Sequence, residues 1–110
     1  MCGVGDLYLI DFPYVEEYTF KERPALLVTK LYDDSFVCCM VTKVKNPFDF
    51  SIPLDNDDLV EGKTNYNPSY IRPLRLATVN PKRFGRKLAK VNDTIMEQVR
   101  EALKQGLGLS

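Results

Sequence analysis

The feature that most constrains this chain is the run Ala25-Leu26-Leu27-Val28, entered through Lys21-Glu22-Arg23-Pro24 and left through Thr29-Lys30. A continuous apolar run this short, ending in β-branched residues, reads as a strand buried on both faces. Proline has no N–H to give to a ladder, so Pro24 is expected at the strand's first position. Arg23 then stands at the rim, where the chain leaves a polar loop and enters a core. A guanidinium held there can bind phosphate bidentately. It can equally be a solvated or ion-paired structural arginine.

Other short β-rich runs surround this one. Residues 5–12 read as a first strand, opened by Gly5 and closed before Pro13. Strand alternation sets Leu7, Leu9 and Asp11 on one face and Tyr8, Ile10 and Phe12 on the other. Residues 14–21 carry Glu16, Glu17, Tyr18 and Phe20 without a period and read as a loop. A turn over residues 32–35 leads to a strand over 36–44, with Thr42 and Lys43 near its end. A short strand is expected over 49–53, then an acidic stretch, 54–62, holding one helical turn that ends at Gly62. Residues 69–72 and 76–80 read as two short strands on either side of Pro73. Residues 86–91 read as a last edge strand, its cations discouraging further pairing.

The C-terminal segment alone has helical spacing. Asn92 is a good N-cap, Asp93 puts negative charge in the first turn, and Val91 can staple against Met96. Ile95, Val99 and Leu103 recur every four residues, flanked by Met96 and Ala102, and make one apolar face. Lys104 and Gly106 are expected to end the helix. Five to seven short strands followed by one amphipathic helix predict a mainly β (α+β) fold. The expected architecture is a small curved barrel with the helix packed on it, in a single domain over residues 1–110.

Composition narrows the chemistry. Lysine plus arginine and aspartate plus glutamate both total 15, so net charge does not argue for a polyanion. The charges are nevertheless segregated. Asp55, Asp57, Asp58 and Glu61 are acidic, whereas Lys82, Arg83, Arg86, Lys87 and Lys90 are basic. The three cysteines, two of them adjacent at Cys38 and Cys39, make no disulfide framework. Alternation predicts that one of that pair lies in the core and the other faces outward. With no histidine and no C-x-x-C, a zinc site and a histidine-activated nucleophile are both disfavoured, and no cofactor is expected. No run approaches the roughly 18 apolar residues that span a bilayer, and no signal-peptide segment is recognised. A reduced, cytoplasmic location is the expectation.

Several short motifs then fall in a familiar order. Gly5-Asp6 opens the first strand, Phe12-Pro13 closes it, and Lys21-x-Arg23-Pro24 precedes the apolar strand. Val41-Thr42 follows, then Ser69-Tyr70-Ile71-Arg72, then Thr78-Val79-Asn80, then residues 87–103 with Thr94-Ile95-Met96 at the helix start. Over nearly its whole length the chain resembles the MazF/PemK family of toxins. The resemblance implies an SH3-like barrel, a symmetric homodimer and metal-independent cleavage of single-stranded RNA to 2′,3′-cyclic phosphate ends. It also implies a cognate antitoxin that lies over the RNA groove.

Residue by residue, the resemblance assigns Arg23 to a phosphate contact or proton donor and Thr42 to the phosphate beside the scissile bond. Arg72 would stabilise charge or act as general acid, and an acidic first-loop residue, Glu16 or Glu17, would fill the acid–base role. We take Arg23, Thr42, Arg72 and Glu17 as the candidate catalytic set, and Glu16, Lys43, Tyr70 and Arg75 as candidate RNA contacts. Two departures stand out. Lys43 replaces the serine or threonine common after the threonine. Leu74 replaces an aspartate common two residues after the arginine matching Arg72, and leucine cannot accept a proton. Two alternatives therefore remain: a binding module for RNA or protein on the same barrel, and a gyrase-inhibiting toxin.

Overall fold

The computed structural model describes residues 2–12, 21–45, 50–63 and 69–109. The strands are β1 (Asp6–Phe12), β2 (Lys21–Lys30), β3 (Phe36–Thr42), β4 (Ile52–Leu54), β5 (Leu59–Gly62), β6 (Ser69–Val79) and β7 (Phe84–Val91), followed by α1 (Asp93–Gly106). All seven form one antiparallel sheet in the order β4-β6-β3-β2-β1-β7-β5, curled into a half-barrel. The mainly β fold with a C-terminal helix is the one expected. The loop expected over residues 14–21 lies outside the described residues, except that Lys21 already belongs to β2.

The curl gives the sheet two buried faces. On one, Leu7, Leu26, Cys39, Val41 and Ile71 pack with Ile95, Met96, Val99 and Ala102 of α1. On the other, Ile10, Ala25, Leu27, Phe36, Cys38, Met40 and Val79 form a second cluster. Tyr8 and Phe84 close it with ring centroids 5.1 Å apart, and Phe84 stands 6.0 Å from Phe36. Ala25, Leu26 and Leu27 are fully buried, which is the double-sided burial expected of β2. The same geometry corrects the cysteine expectation. Cys38 and Cys39 point to opposite faces as alternation requires, yet both are fully buried because both faces are covered. Burial pushes the Cys38 thiol up to about 12, aided by nearby Cys2.

Four other expectations are corrected. Pro24 lies inside β2, opposite Leu9 of β1, and not at its first position. It is tolerated because pairing to β3 starts only at Ala25, so β2 has an unpaired side at Pro24 that asks for no N–H. The two strands expected around Pro73 are one strand, β6. Met40 pairs with Arg72 and Cys39 with Leu76, so residues 73–75 bulge from the ladder and Pro73 breaks no cross-strand bond to β3. The acidic stretch forms a single 3₁₀ turn, Asn56–Asp58, closed by reciprocal bonds between Asp55 and Asp58, and then passes into β5. Residues 86–91 belong to β7, which lies between β1 and β5; the sheet edges are β4 and β5. The short strand expected over 49–53 is found later, as β4 over Ile52–Leu54, and residue 49 lies outside the described residues.

The helix starts as its cap predicts. Asn92 Oδ1 accepts a hydrogen bond from Ile95 N at 2.9 Å, and Val91 and Met96 share one core cluster. Its end is displaced. Gly106 is the last helical residue, and the chain reverses at Gly108, whose φ of +72° suits only glycine without strain. Gly106 has a different job. A Cβ there would lie 2.7 Å from Leu74 Cδ2, so its lack of a side chain lets the β6 bulge seat Leu74 against the helix.

At the opposite side of the barrel, Asp6 is almost completely buried and ties β1 to its neighbours. Its Oδ2 accepts from Gly3 N at 2.8 Å, and its Oδ1 lies 3.5 Å from Lys87 Nζ. The same ammonium donates to Glu61 Oε1 at 2.5 Å, linking β1, β7 and β5. That hydrogen bond holds the Glu61 carboxyl below its ordinary value and raises Lys87.

A cationic cleft where two strands part

The β2–β3 ladder is regular from Ala25 opposite Met40 through Leu27 opposite Cys38. Beyond Ala25 toward the open end the pairing stops, although both strands continue: β2 back to Lys21 and β3 on to Thr42. The parting strands leave a small open cleft, lined by Glu22, Arg23 and Pro24 from β2, Val41, Thr42 and Lys43, and Ser69 of β6. Pro24 contributes to this opening, since it supplies no donor toward β3.

The register fixes which side chains converge. Met40 pairs with both Ala25 and Arg72, and Thr42 pairs with Tyr70. Directly paired residues share a face, so Tyr70 and Arg72 share the face of Met40 and Thr42. Arg23, two residues before Ala25, falls on that face as well. Arg23 and Arg72 therefore stand on the same face on either side of β3, Arg72 opposite Met40 and Arg23 two residues beyond Ala25, the other partner of Met40.

Thr42 is pre-set as a donor. Its Oγ1 accepts from Val44 N at 3.3 Å, which leaves the hydroxyl proton to donate. It is half-buried, whereas Arg23 and Lys43 are exposed at the mouth and Arg72 is half-buried. Ser69, almost fully buried, forms part of the floor.

Of the residues singled out from sequence, the cleft brings together Arg23, Thr42 and Lys43 as lining. Tyr70 and Arg72 stand on the neighbouring strand in register with it. Arg75 is exposed in the 73–75 bulge and is not among the lining residues. Glu16 and Glu17 lie outside the described residues. Leu74 is seated against Gly106 of α1, where it serves packing. Sequence reasoning missed Glu22 and Ser69. Glu22 was visible as the residue directly before Arg23, but attention to first-loop spacing passed over it.

Comparison with known proteins gives a consistent family. The model of the PemK-like, MazF-like toxins of type II toxin-antitoxin systems matches residues 4–107. Among curated proteins no match is found. A solved structure described as an endoribonuclease in complex with its cognate antitoxin, from a mycobacterial species, superposes with a TM-score of 0.77 at 18% identity, covering 100% of this chain and 98% of its own. The Mycobacterium tuberculosis toxin MazF-mt6 gives 0.73 at 15% identity, with 96% and 98% covered. MazF from Deinococcus radiodurans gives 0.73 at 20% identity, with 96% and 94% covered.

Proposed function

Because this chain belongs to the PemK-like, MazF-like toxins of type II toxin-antitoxin systems, we propose that it is an endoribonuclease cutting single-stranded RNA without a metal. The observation that carries the reading is the cleft itself. Arg23, Thr42 and Lys43 line it, and Arg72 stands in register beside them on the same sheet face as Thr42. A guanidinium, an ammonium and a donating hydroxyl at the cleft, with the second guanidinium of Arg72 on the neighbouring strand, suit a phosphodiester.

In the proposed reaction the ribose 2′-oxygen attacks the adjacent phosphorus and the bond to the 5′-oxygen breaks. The products are a 2′,3′-cyclic phosphate and a 5′-hydroxyl. Arg23 and Arg72 stabilise the charge that grows on the phosphoryl oxygens, and Thr42 hydrogen-bonds one of them. Lys43 and Tyr70 hold the flanking backbone or a base, Tyr70 through its ring face. A carboxylate must take the 2′-proton, a task open to Glu17 or Glu16 on the family resemblance but closed to Leu74. The solved relative described as an endoribonuclease in complex with its cognate antitoxin supports a cognate antitoxin as partner here; a homodimer whose RNA cleft an antitoxin segment covers is what the family resemblance implies.

The test is a cleavage assay on long single-stranded RNA in chelator, with Arg72→Ala alongside. Discrete cuts ending in cyclic phosphate, lost in the variant, support the proposal. The seating of Leu74 against Gly106 favours one second reading, a cleft that binds RNA but has lost its base. Intact RNA that shifts in a gel would select it.

A further inference from the structure

Resting on the ribonuclease reading above, and deepening it, we propose that Leu74 is a positioning residue. Seated on Gly106 at the end of α1, it holds the backbone that carries Arg72 to the cleft.

Arg72 stands where the ladder gives out. Before it, Tyr70 and Ile71 pair with Thr42 and Val41 of β3 on one side and with Pro53 and Ile52 of β4 on the other. Arg72 still pairs with Met40, but β4 begins at Ile52, opposite Ile71. After it, residues 73–75 have no ladder partner among the described residues, and pairing resumes with Leu76 opposite Cys39. A bulge re-aims the side chains beside it. The packing of the bulge therefore has to supply the fixation that the ladder does not.

Two side chains supply it. Pro73 is fully buried, and its ring fixes φ. Leu74 turns to the helix. A Cβ on Gly106 would lie 2.7 and 2.8 Å from its two methyl carbons and 3.1 Å from its Cγ, so the whole end of the leucine fills the space over the glycine. Gly106 is helical and has no positive φ, so its backbone does not call for glycine, and alanine there would favour the helix. What glycine provides is the room for Leu74.

This seat is on the far side of the sheet from the substrate. Arg72 shares the face of Met40 in the second core cluster, whereas α1 packs against the first. Leu74 therefore acts through the two residues of chain that join it to Arg72, and not by touching RNA. Displacing a group by about 1 Å from a point remote from the chemistry costs up to about 100-fold in rate. Alanine at 106 forces a smaller shift than that.

The experiment measures thermal stability and single-turnover cleavage of a long single-stranded RNA, with protein in excess and at a temperature where every variant is folded. The variants are G106A, L74A, V91A, R72A and R72A/G106A. G106A and L74A are expected to slow the saturated step by about tenfold, with the half-saturating protein concentration changed by less than about twofold. Val91 lies in the core cluster beneath α1 but four strands from β6. V91A is expected to melt lower than G106A yet cut at the parent's rate. G106A is expected to add nothing to R72A, because the arginine it misplaces is gone. G106A and L74A that both cut within about twofold of the parent would overturn the proposal. So would a G106A that slows R72A as much as it slows the parent, since the effect would then not run through Arg72. A V91A that slows cleavage as G106A does would overturn it too, because lost stability would explain both. A parent that leaves all RNA intact defeats the ribonuclease reading itself; a parent that cuts beside variants that cut alike defeats this assignment alone.

Discussion

The two ends of the β2–β3 pair are built from the same strands and do opposite things. At the closed end the ladder runs to Lys30 opposite Phe36. A tight turn completes it, with Leu31 N donating to Ser35 O at 2.7 Å and Asp34 at φ +68°. Here Leu27, Phe36 and Cys38 are fully buried and the polar backbone is consumed in pairing. At the open end the ladder stops at Ala25 and Met40, and the side chains change to Glu22, Arg23, Thr42 and Lys43. Stability is concentrated where strands pair and binding capacity where they part. Pro24 sits at the divide.

The comparison breaks most visibly if substitutions at the two ends have the same consequence. Arg72→Ala is expected to reduce RNA cleavage by about 100-fold or more while the melting temperature stays near that of the parent. Leu27→Ala, two strands away in the second core cluster, is expected to cost about 2–5 kcal/mol of stability by leaving a cavity. Denaturant unfolding and a cleavage time course on both variants make the check. If Arg72→Ala unfolds the protein, the open end is structural after all.

Thiol chemistry sharpens the same contrast. Cys38 is pushed up to about 12 by burial, and burial also raises Cys39, so neither forms thiolate at pH 8. Cys2, only half-buried, is expected to react with a disulfide reagent in the native protein. Unfolding should release the other two of the three thiols. Rapid native reaction of Cys38 or Cys39 would show that one sheet face is open.

A smaller effect is expected at the bulge. Gly106→Ala forces Leu74 to shift, at a cost of about 1 kcal/mol, because the atoms it meets are the mobile tip of that side chain. Leu74→Ala in the same molecule should remove the coupling in a double-mutant cycle. Additive costs would mean that the two residues do not touch.

The smallest effect is the pH response of the Asp6–Lys87–Glu61 clasp. Glu61 is held below its ordinary 4.5 by the hydrogen bond from Lys87, so its contribution is present above 4.5 and fades as pH falls through the lowered value. Lys87 is raised above 10.5 by the same bond, so its contribution is full below 10.5 and lost as pH climbs past the raised value. Glu61→Gln should slightly lower the melting temperature at pH 7, by a difference that shrinks as pH falls below 4.5. A difference that does not shrink over that range would contradict the assignment.

Much of this was legible in the chain. The Ala25–Val28 run announced double-sided burial, Asn92 announced the helix start, and the ordered motifs announced the family. What stayed hidden was decided by partners distant in sequence. Pro24 could not be read as an interior residue without knowing that β2 lacks a neighbour on one side there. Cys38 looked half exposed because nothing local says that a curled sheet buries both faces. Pro73 read as a break because a three-residue bulge shows only in the register with β3.

The central claim is that the cationic open end cuts RNA while the closed end only holds it in shape. The most direct test is to incubate the purified protein with a long single-stranded RNA in chelator, beside an Arg72→Ala variant of matched stability. The account predicts discrete fragments with 2′,3′-cyclic phosphate ends from the parent and none from the variant. Intact RNA with the folded parent across a broad panel of sequences, or identical fragments from both proteins, would contradict it.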